Sequence, residues 1–363
     1  MKRIVFTITN DISYDQRMHR ICTSLAGNGY HVTLIGCLRK QSIPLQKENY
    51  QQKRLSLFFQ KGFLFYAEYN IRLFFYLLFK KADLLCAIDL DTILPCLYIS
   101  RLKKIARVYD AHELFTEQNE IVRRPSVQKI WLWIEKKAVP QFQHGYTVCT
   151  SIADFLKEKY SVDYKVIRNV TLLNKQTLLD QARSNILYQG AVNEARGFEF
   201  LIPAMKWVDE KLIICGDGNF MNAVKQLIKE NGVEEKVELK GMMKKEELWN
   251  LSLKAKIGIT IIENTGLNQY FSLPNKFFDY IHAAIPQIAM NYPEYQTINN
   301  QYEVAVLLDN YNPKNIADTI NNLLSDSVLY NRLRENCMQA RLQLNWQNEE
   351  MKLLNFYQSV LES

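Results

Sequence analysis

Short apolar runs alternate with longer stretches of mixed apolar and polar residues along almost the whole chain. Arg3–Thr9 reads as a strand, Asp15–Asn28 has the apolar spacing of a helix, and His31–Gly36 reads as a second strand. Asp83–Ile88, Ile105–Tyr109, Gly145–Cys149 and Tyr164–Ile167 continue the strand series, with helical patterns between most of them. Val170–Ser184 is polar and lacks periodicity, so it reads as a linker. The alternation then restarts with strands at Asn185–Gln189, Lys211–Cys215, Val237–Leu239, Ile257–Ile262, Pro286–Ala289 and Val304–Leu308. Helices fall at Phe198–Trp207 and Phe220–Asn231, and a closing helix runs from Trp346 to Leu361. Strands alternating with helices imply parallel sheets covered on both faces. The expectation is an α/β chain of two doubly wound, Rossmann-like domains, 1–169 and 185–345, with a central cleft at the carboxyl ends of the strands.

One segment departs from the pattern. Gly62–Phe79 is dense in Phe, Tyr and Leu, is broken by Glu68, Asn70 and Arg72, and is followed by Lys80 and Lys81. It is too interrupted to span a bilayer. Two readings stand: an amphipathic helix lying on an anionic membrane surface, or a core helix packed on the first sheet.

Composition narrows the class. At 363 residues, with 48% hydrophobic and 23% charged residues, the chain has apolar material for two cores. Its seven cysteines include no C-x-x-C pair and several sit in apolar runs, which suits buried, reduced thiols. No signal peptide or membrane span is visible, so the expected location is cytoplasmic, with the inner face of the membrane added if the aromatic segment meets lipid. The net charge of +7 is uneven: residues 1–165 carry 25 Lys and Arg against 15 Asp and Glu. A basic first half suits an anionic partner or a merely solvated surface. The basic residues are not interleaved as a nucleic-acid reading module, so no nucleic acid is expected.

Four places carry candidate chemistry. Tyr109–Leu114 leaves a strand end, where His112 could donate to a sugar hydroxyl or a phosphate oxygen, or where Asp110 or His112 could simply cap the next helix. Tyr188–Gly197 ends a strand at Gly190 and opens a helix with Arg196 and Gly197; arginine can grip phosphate oxygens bidentately. Gly216 and Gly218 follow another strand, as a turn that lets a nucleotide approach the backbone, but without the full dinucleotide fingerprint. Ser272–Pro286 places Pro274 in a first helical turn. The amides of Asn275 and Lys276 would then face outward at the positive helix end, with Asp279 one turn on.

Together these segments resemble the retaining, GT-B-fold glycosyltransferases of family 4 over nearly the whole chain. The stretch from Tyr14-Asp15-Gln16-Arg17 to Gly29-Tyr30-His31-Val32-Thr33 is similar to that family's first helix and second strand. Tyr109–Leu114, Val166-Ile167-Arg168-Asn169, Cys215–Gly218 and Leu273–Pro286 follow in the family's order. The resemblance implies a nucleotide-diphosphate sugar as co-substrate, no cofactor, no metal, and a glycan or lipid-linked hydroxyl acceptor in cell-surface polysaccharide or glycolipid synthesis. It implies that Gly190 and Arg196 bind the donor diphosphate and that Gly216 and Gly218 border the base. The amides near Asn275 and Lys276 would hold phosphate, Ser272 and Leu273 would belong to the donor site, Asp279 would bind ribose, and His112 would lie beside the donor sugar and the reacting centre. Asp15, Arg17, Arg168 and Asn169 are additional candidates from matched motifs. The closing helix, 346–363, would cross back onto the first domain.

The chain departs from the family at four points. Ala191 stands where an arginine is usual, Arg196 where a lysine is usual, and Phe271 where the first of two paired glutamates is usual; Asn10–Ser13 replaces a glycine-rich loop. Asp89-Leu90-Asp91 reads as strand-end and helix-cap carboxylates, not as a metal-binding triplet. The loss of acid at Phe271 also leaves open a non-catalytic nucleotide-sugar-binding scaffold subunit. A sugar-nucleotide epimerase could share the architecture, though no carboxylate pair for it is apparent.

Overall fold

The computed structural model describes residues 1–13, 15–174 and 182–362. Tyr14 and residues 175–181 of the expected linker lie outside them. Contacts divide the chain into two compact units: Met1–Asn169 with Asn348–Ser363, and Val170–Gln347.

The first unit contains β1 (Arg3–Thr7), β2 (His31–Cys37), β3 (Gln51–Leu55), β4 (Leu84–Ile88), β5 (Ala106–Ala111), β6 (His144–Thr147) and β7 (Lys165–Val166). Their order across the sheet is β3-β2-β1-β4-β5-β6-β7, with every pair parallel. The second unit contains β8 (Ile186–Gln189), β9 (Leu212–Cys215), β10 (Val237–Gly241), β11 (Ile257–Thr260), β12 (Gln287–Met290) and β13 (Ala305–Leu308). Their order is β10-β9-β8-β11-β12-β13, again all parallel. Both sheets are doubly wound. The order reverses beside β1 in one and β8 in the other, and at such a point the flanking loops part and leave room for a ligand.

The central strands are apolar because helices cover both faces: all of Leu84–Ile88 and Ile257–Thr260 is buried. β3 follows a different rule. Its sequence Gln-Gln-Lys-Arg-Leu is mostly exposed at the sheet edge, so it carries no apolar run by which to recognise it. All seven cysteines are buried and none forms a disulfide.

The helix Gly62–Phe79 bears out the core reading on one face and leaves apolar side chains exposed on the other. Phe65, Tyr69, Leu73 and Leu77, spaced by four, are buried against the first sheet, where the Tyr69 hydroxyl donates to the Ile8 carbonyl at 2.5 Å. Leu64, Ile71, Phe75 and Phe79 lie on the outer side and are exposed, Phe79 by 83%. No helix among the described residues is long and apolar enough to cross a membrane.

The last helix, Trp346–Glu362, joins the first unit from Asn348 onward. There Tyr357 is fully buried, its hydroxyl 3.2 Å from that of Tyr146 and its ring edge-on to Phe6. Tyr357→Ala should therefore destabilise the first unit by about 3–5 kcal/mol through the cavity it leaves. Tyr357→Phe, which removes only the hydroxyl contact, should cost about 1 kcal/mol. Urea unfolding followed by circular dichroism would rank the two.

Candidate functional site

In the second unit the candidate residues gather around the ends of β8, β9 and β11. β8 ends at Gln189, and Gly190 follows with φ +118°, in the left-handed region that glycine occupies without strain. The hydroxyl of Tyr188 donates to the Ala191 carbonyl at 2.7 Å and pins the start of the loop. The loop ends at Gly197 (φ +74°), where a side chain would strike Ile261, and the helix Phe198–Ala204 begins. Arg196 thus stands one residue before that helix, and it makes no hydrogen bond or ion pair among the described residues.

Gly216 and Gly218 have a more local cause than the sequence suggested. A Cβ on Gly216 would lie 1.8 Å from the Gly190 carbonyl oxygen, and one on Gly218 would lie 2.3 Å from that of Val192. The two glycines let the loop after β9 pack directly on the loop after β8, and the Val192 amide donates to the Asp217 carbonyl between them.

The helix Asn275–His282 starts immediately after Pro274, which takes the capping position and not the first turn. Among the described residues no side chain caps this helix, and the amides of Asn275 and Lys276 bond to nothing. Ser272 turns its hydroxyl back onto the Gln269 carbonyl at 2.7 Å and Leu273 is buried, so both shape the approach to the helix. Asp279 is held from two sides: Gln189 Nε2 donates to it at 2.9 Å, and the Thr171 hydroxyl donates to its other oxygen. The Ser252 hydroxyl in turn donates to Gln189 Oε1 at 3.1 Å.

Lys276, which the sequence reading held only as an alternative clamp after Arg196, has an unusual setting. It is only 7% exposed, its amine has no hydrogen-bond partner, and its Nζ lies 3.5 Å from the centroid of the Tyr188 ring. Burial, reinforced by the charge of Arg196, holds the amine well below its ordinary pKa. The ring face is its main compensation.

The first unit carries a cluster of opposite character. Asp110, at the end of β5, is fully buried between two cations: Arg17 Nη2 at 3.1 Å and His112 Nε2 at 3.0 Å. Burial raises a carboxyl's pKa, but Arg17 and then His112 outweigh it and hold Asp110 below its ordinary value. Asp89 accepts from the His112 amide at 2.9 Å and stands 3.8 Å from its Nδ1; Asp91 accepts from the Thr9 hydroxyl at 2.5 Å. Neither carboxylate caps a helix, contrary to the sequence reading. Nor do Asp110 and His112 cap the next helical turn; they bond to each other.

The additional candidates are mainly scaffold. Asp15 caps the helix Gln16–Gly27 through the Met18 amide. Arg17 is buried, with Nη1 donating to the Ile167 carbonyl. Asn169 accepts from Arg20, and the Arg168 amide donates to Glu349 at 2.9 Å. Beside them Ile12, Ser13, His19 and Tyr50 line a pocket of about 290 Å³, where the family's glycine-rich loop is absent.

The sequence profile described as "Glycosyl transferases group 1" matches residues 170–340, and that described as "Glycosyltransferase Family 4" matches residues 16–171. The chain belongs to the GT-B glycosyltransferases of family 4. No curated protein matches the sequence significantly. Among solved structures, a sucrose-phosphate synthase from Thermosynechococcus elongatus superposes with a TM-score of 0.81 at 14% identity, covering 100% of both chains. HepE of Anabaena, solved with UDP-glucose, gives 0.75 at 11% identity over 99% of this chain and 100% of that one. WaaG, a glycosyltransferase involved in lipopolysaccharide biosynthesis, gives 0.72 at 14% identity over 96% and 98%. Identities this low establish a shared fold and a divergent member.

His112 supplies a measurable consequence. Burial alone would lower its pKa, but Asp110 and then Asp89 push it up to about 9, above an ordinary 6.5. A raised imidazole pKa stabilises the fold fully below about pH 6.5, and the contribution is lost as pH climbs through about 9. The stake is on the order of 3 kcal/mol. Thermal unfolding scanned across that window should show a fall in wild type that His112→Gln flattens.

Proposed function

We propose that this glycosyltransferase moves a sugar, with retention, from a nucleotide-diphosphate donor to a hydroxyl of a glycan or lipid-linked acceptor. Polysaccharide or glycolipid synthesis at the cell surface is the pathway class that suits it. The observation that carries the reading is the unpaired Arg196 guanidinium in the same strand-end cluster as two unbonded amides at the start of the helix Asn275–His282. Helix amides and an arginine fork are the groups that stabilise a diphosphate leaving group without a metal ion. In this reading Arg196 grips the diphosphate, and Asp279, oriented by Gln189 and Thr171, binds ribose. His112, cationic and fixed by Asp110, serves the reacting sugar. Retention follows if the acceptor hydroxyl attacks from the face the diphosphate leaves, with no covalent protein intermediate.

A screen with UDP-, GDP-, dTDP- and ADP-sugars in EDTA tests this. One donor should bind and transfer without a divalent cation, and activity that returns only with manganese would overturn the metal-free reading. Arg196→Ala should weaken donor and nucleoside diphosphate roughly ten- to hundredfold, since a charged hydrogen bond is worth about 1.5–3 kcal/mol. It should leave free nucleoside almost untouched, whereas Asp279→Asn should weaken all three. A wild-type protein that binds donor but neither transfers nor hydrolyses it would favour the scaffold-subunit reading instead.

The exposed stripe on the helix Gly62–Phe79 supports a second proposal, docking on an anionic membrane surface. Lys103 Nζ donates to the carbonyls of Leu77 and Lys80, which joins the end of this helix to that of Ile93–Lys103. Exposed Phe79, Lys81, Leu102 and Lys104 therefore share one edge. Aromatic rings beside lysines suit a negatively charged lipid interface. Co-sedimentation with phosphatidylglycerol-containing vesicles should be lost in Phe75→Ser/Phe79→Ser with circular dichroism unchanged, and unimpaired binding by that variant would overturn the proposal.

A further inference from the structure

A buried lysine ordinarily reaches a carboxylate or extends its amine to water. Lys276 does neither. The nearest acid on its own helix, Asp279, is already bonded to Gln189 and Thr171. Tyr188, under the amine, has given its hydroxyl proton to the Ala191 carbonyl. The remaining charged neighbour, Arg196, repels. An ideal Cβ at Gly190 would meet nothing closer than Lys276 Cε, at 4.0 Å, so the lysine stem borders the space that glycine leaves open.

The amine therefore stands unpaired at the start of a helix whose first amides are also unpaired, beside a second unpaired cation. The strand-end loop that should supply another cation offers Ala191. We propose that the Lys276 side chain is the second phosphate clamp of this site, filling from the helix start the role that position 191 leaves vacant. The inference rests on the diphosphate reading above and assigns it a residue that reading did not need.

A chemical consequence separates this role from a packing one. With the amine buried, Arg196 repelling it and the Tyr188 ring face beneath it, the empty site favours the neutral amine. A diphosphate brings negative charge to it, the balance reverses, and the amine takes a proton from solvent as the ligand enters. Above the pKa that Lys276 has in the complex, binding should weaken as pH rises.

Isothermal titration with UDP, GDP and ADP, and with uridine, guanosine and adenosine, on the full chain tests the proposal. Wild type should bind one diphosphate and, in buffers of differing ionisation enthalpy, show proton uptake. Lys276→Met should bind that diphosphate roughly ten- to hundredfold more weakly, with nucleoside binding retained and proton uptake gone. Its unliganded unfolding temperature should match or exceed that of wild type, because a buried unpaired amine has been replaced by an apolar chain of similar length. Lys276→Gln should show the same loss of diphosphate, and Ala191→Arg added to Lys276→Met should restore part of it. Diphosphate binding and proton uptake at wild-type levels in both Lys276 variants would overturn the clamp while leaving the diphosphate reading intact. Wild type binding none of these diphosphates, nor dTDP, would overturn both.

Discussion

An ammonium denied both water and a counter-charge raises the free energy of the folded chain, and the second unit is built around one. The lysine at 276 can be there because Tyr188 offers its ring face and because the amine can shed its proton. The groups around it leave that charge without a direct counter-ion: helix amides without a cap, an arginine that makes no bond among the described residues, and an acid one turn on whose oxygens are already occupied. A chain optimised for stability alone would place an apolar residue at 276. Strain of this kind collects where a ligand completes the structure.

The first unit solves the reverse problem. Asp110 is a carboxylate at zero exposure, and it remains charged only because Arg17 reaches it from the first helix and His112 from its own strand end. The dependence runs in one direction. Arg17 fixes Asp110, Asp110 fixes the imidazole, and Asp89 fixes the backbone from which the imidazole projects. Arg17 bears on the imidazole through Asp110 while itself buried, so a residue in a matched motif can be scaffold.

Much of this was legible in the sequence, for reasons that differ from place to place. The central strands announced themselves because burial on both faces demands continuous apolar runs. β3 did not, since Gln51–Leu55 lies at an edge with most of its side chains in solvent. The loop glycines were recognisable as special, but their reason was hidden: Gly216 and Gly218 answer to the backbone of residues 190–192, twenty-odd positions away, and no local pattern encodes that contact. The aromatic segment resisted a single reading because its period-four core stripe and its outer stripe are both apolar, so periodicity could not tell one face from the other. The lysine at 276 was visible as a letter, yet its isolation exists only once Tyr188 and Arg196 have been folded against it. Pairing is a property of three-dimensional neighbours, and that is where the sequence fell silent.

The contact between Gly216 and Gly190 also limits how such an enzyme can be re-engineered. With less than the width of an atom between a would-be Cβ and the facing carbonyl, the loops after β8 and β9 behave as one mechanical part. Grafting a relative's loop onto either strand end to change nucleotide preference would import side chains shaped for a different opposing backbone. On the donor-site reading proposed above, a change of sugar or base would have to carry both loops together.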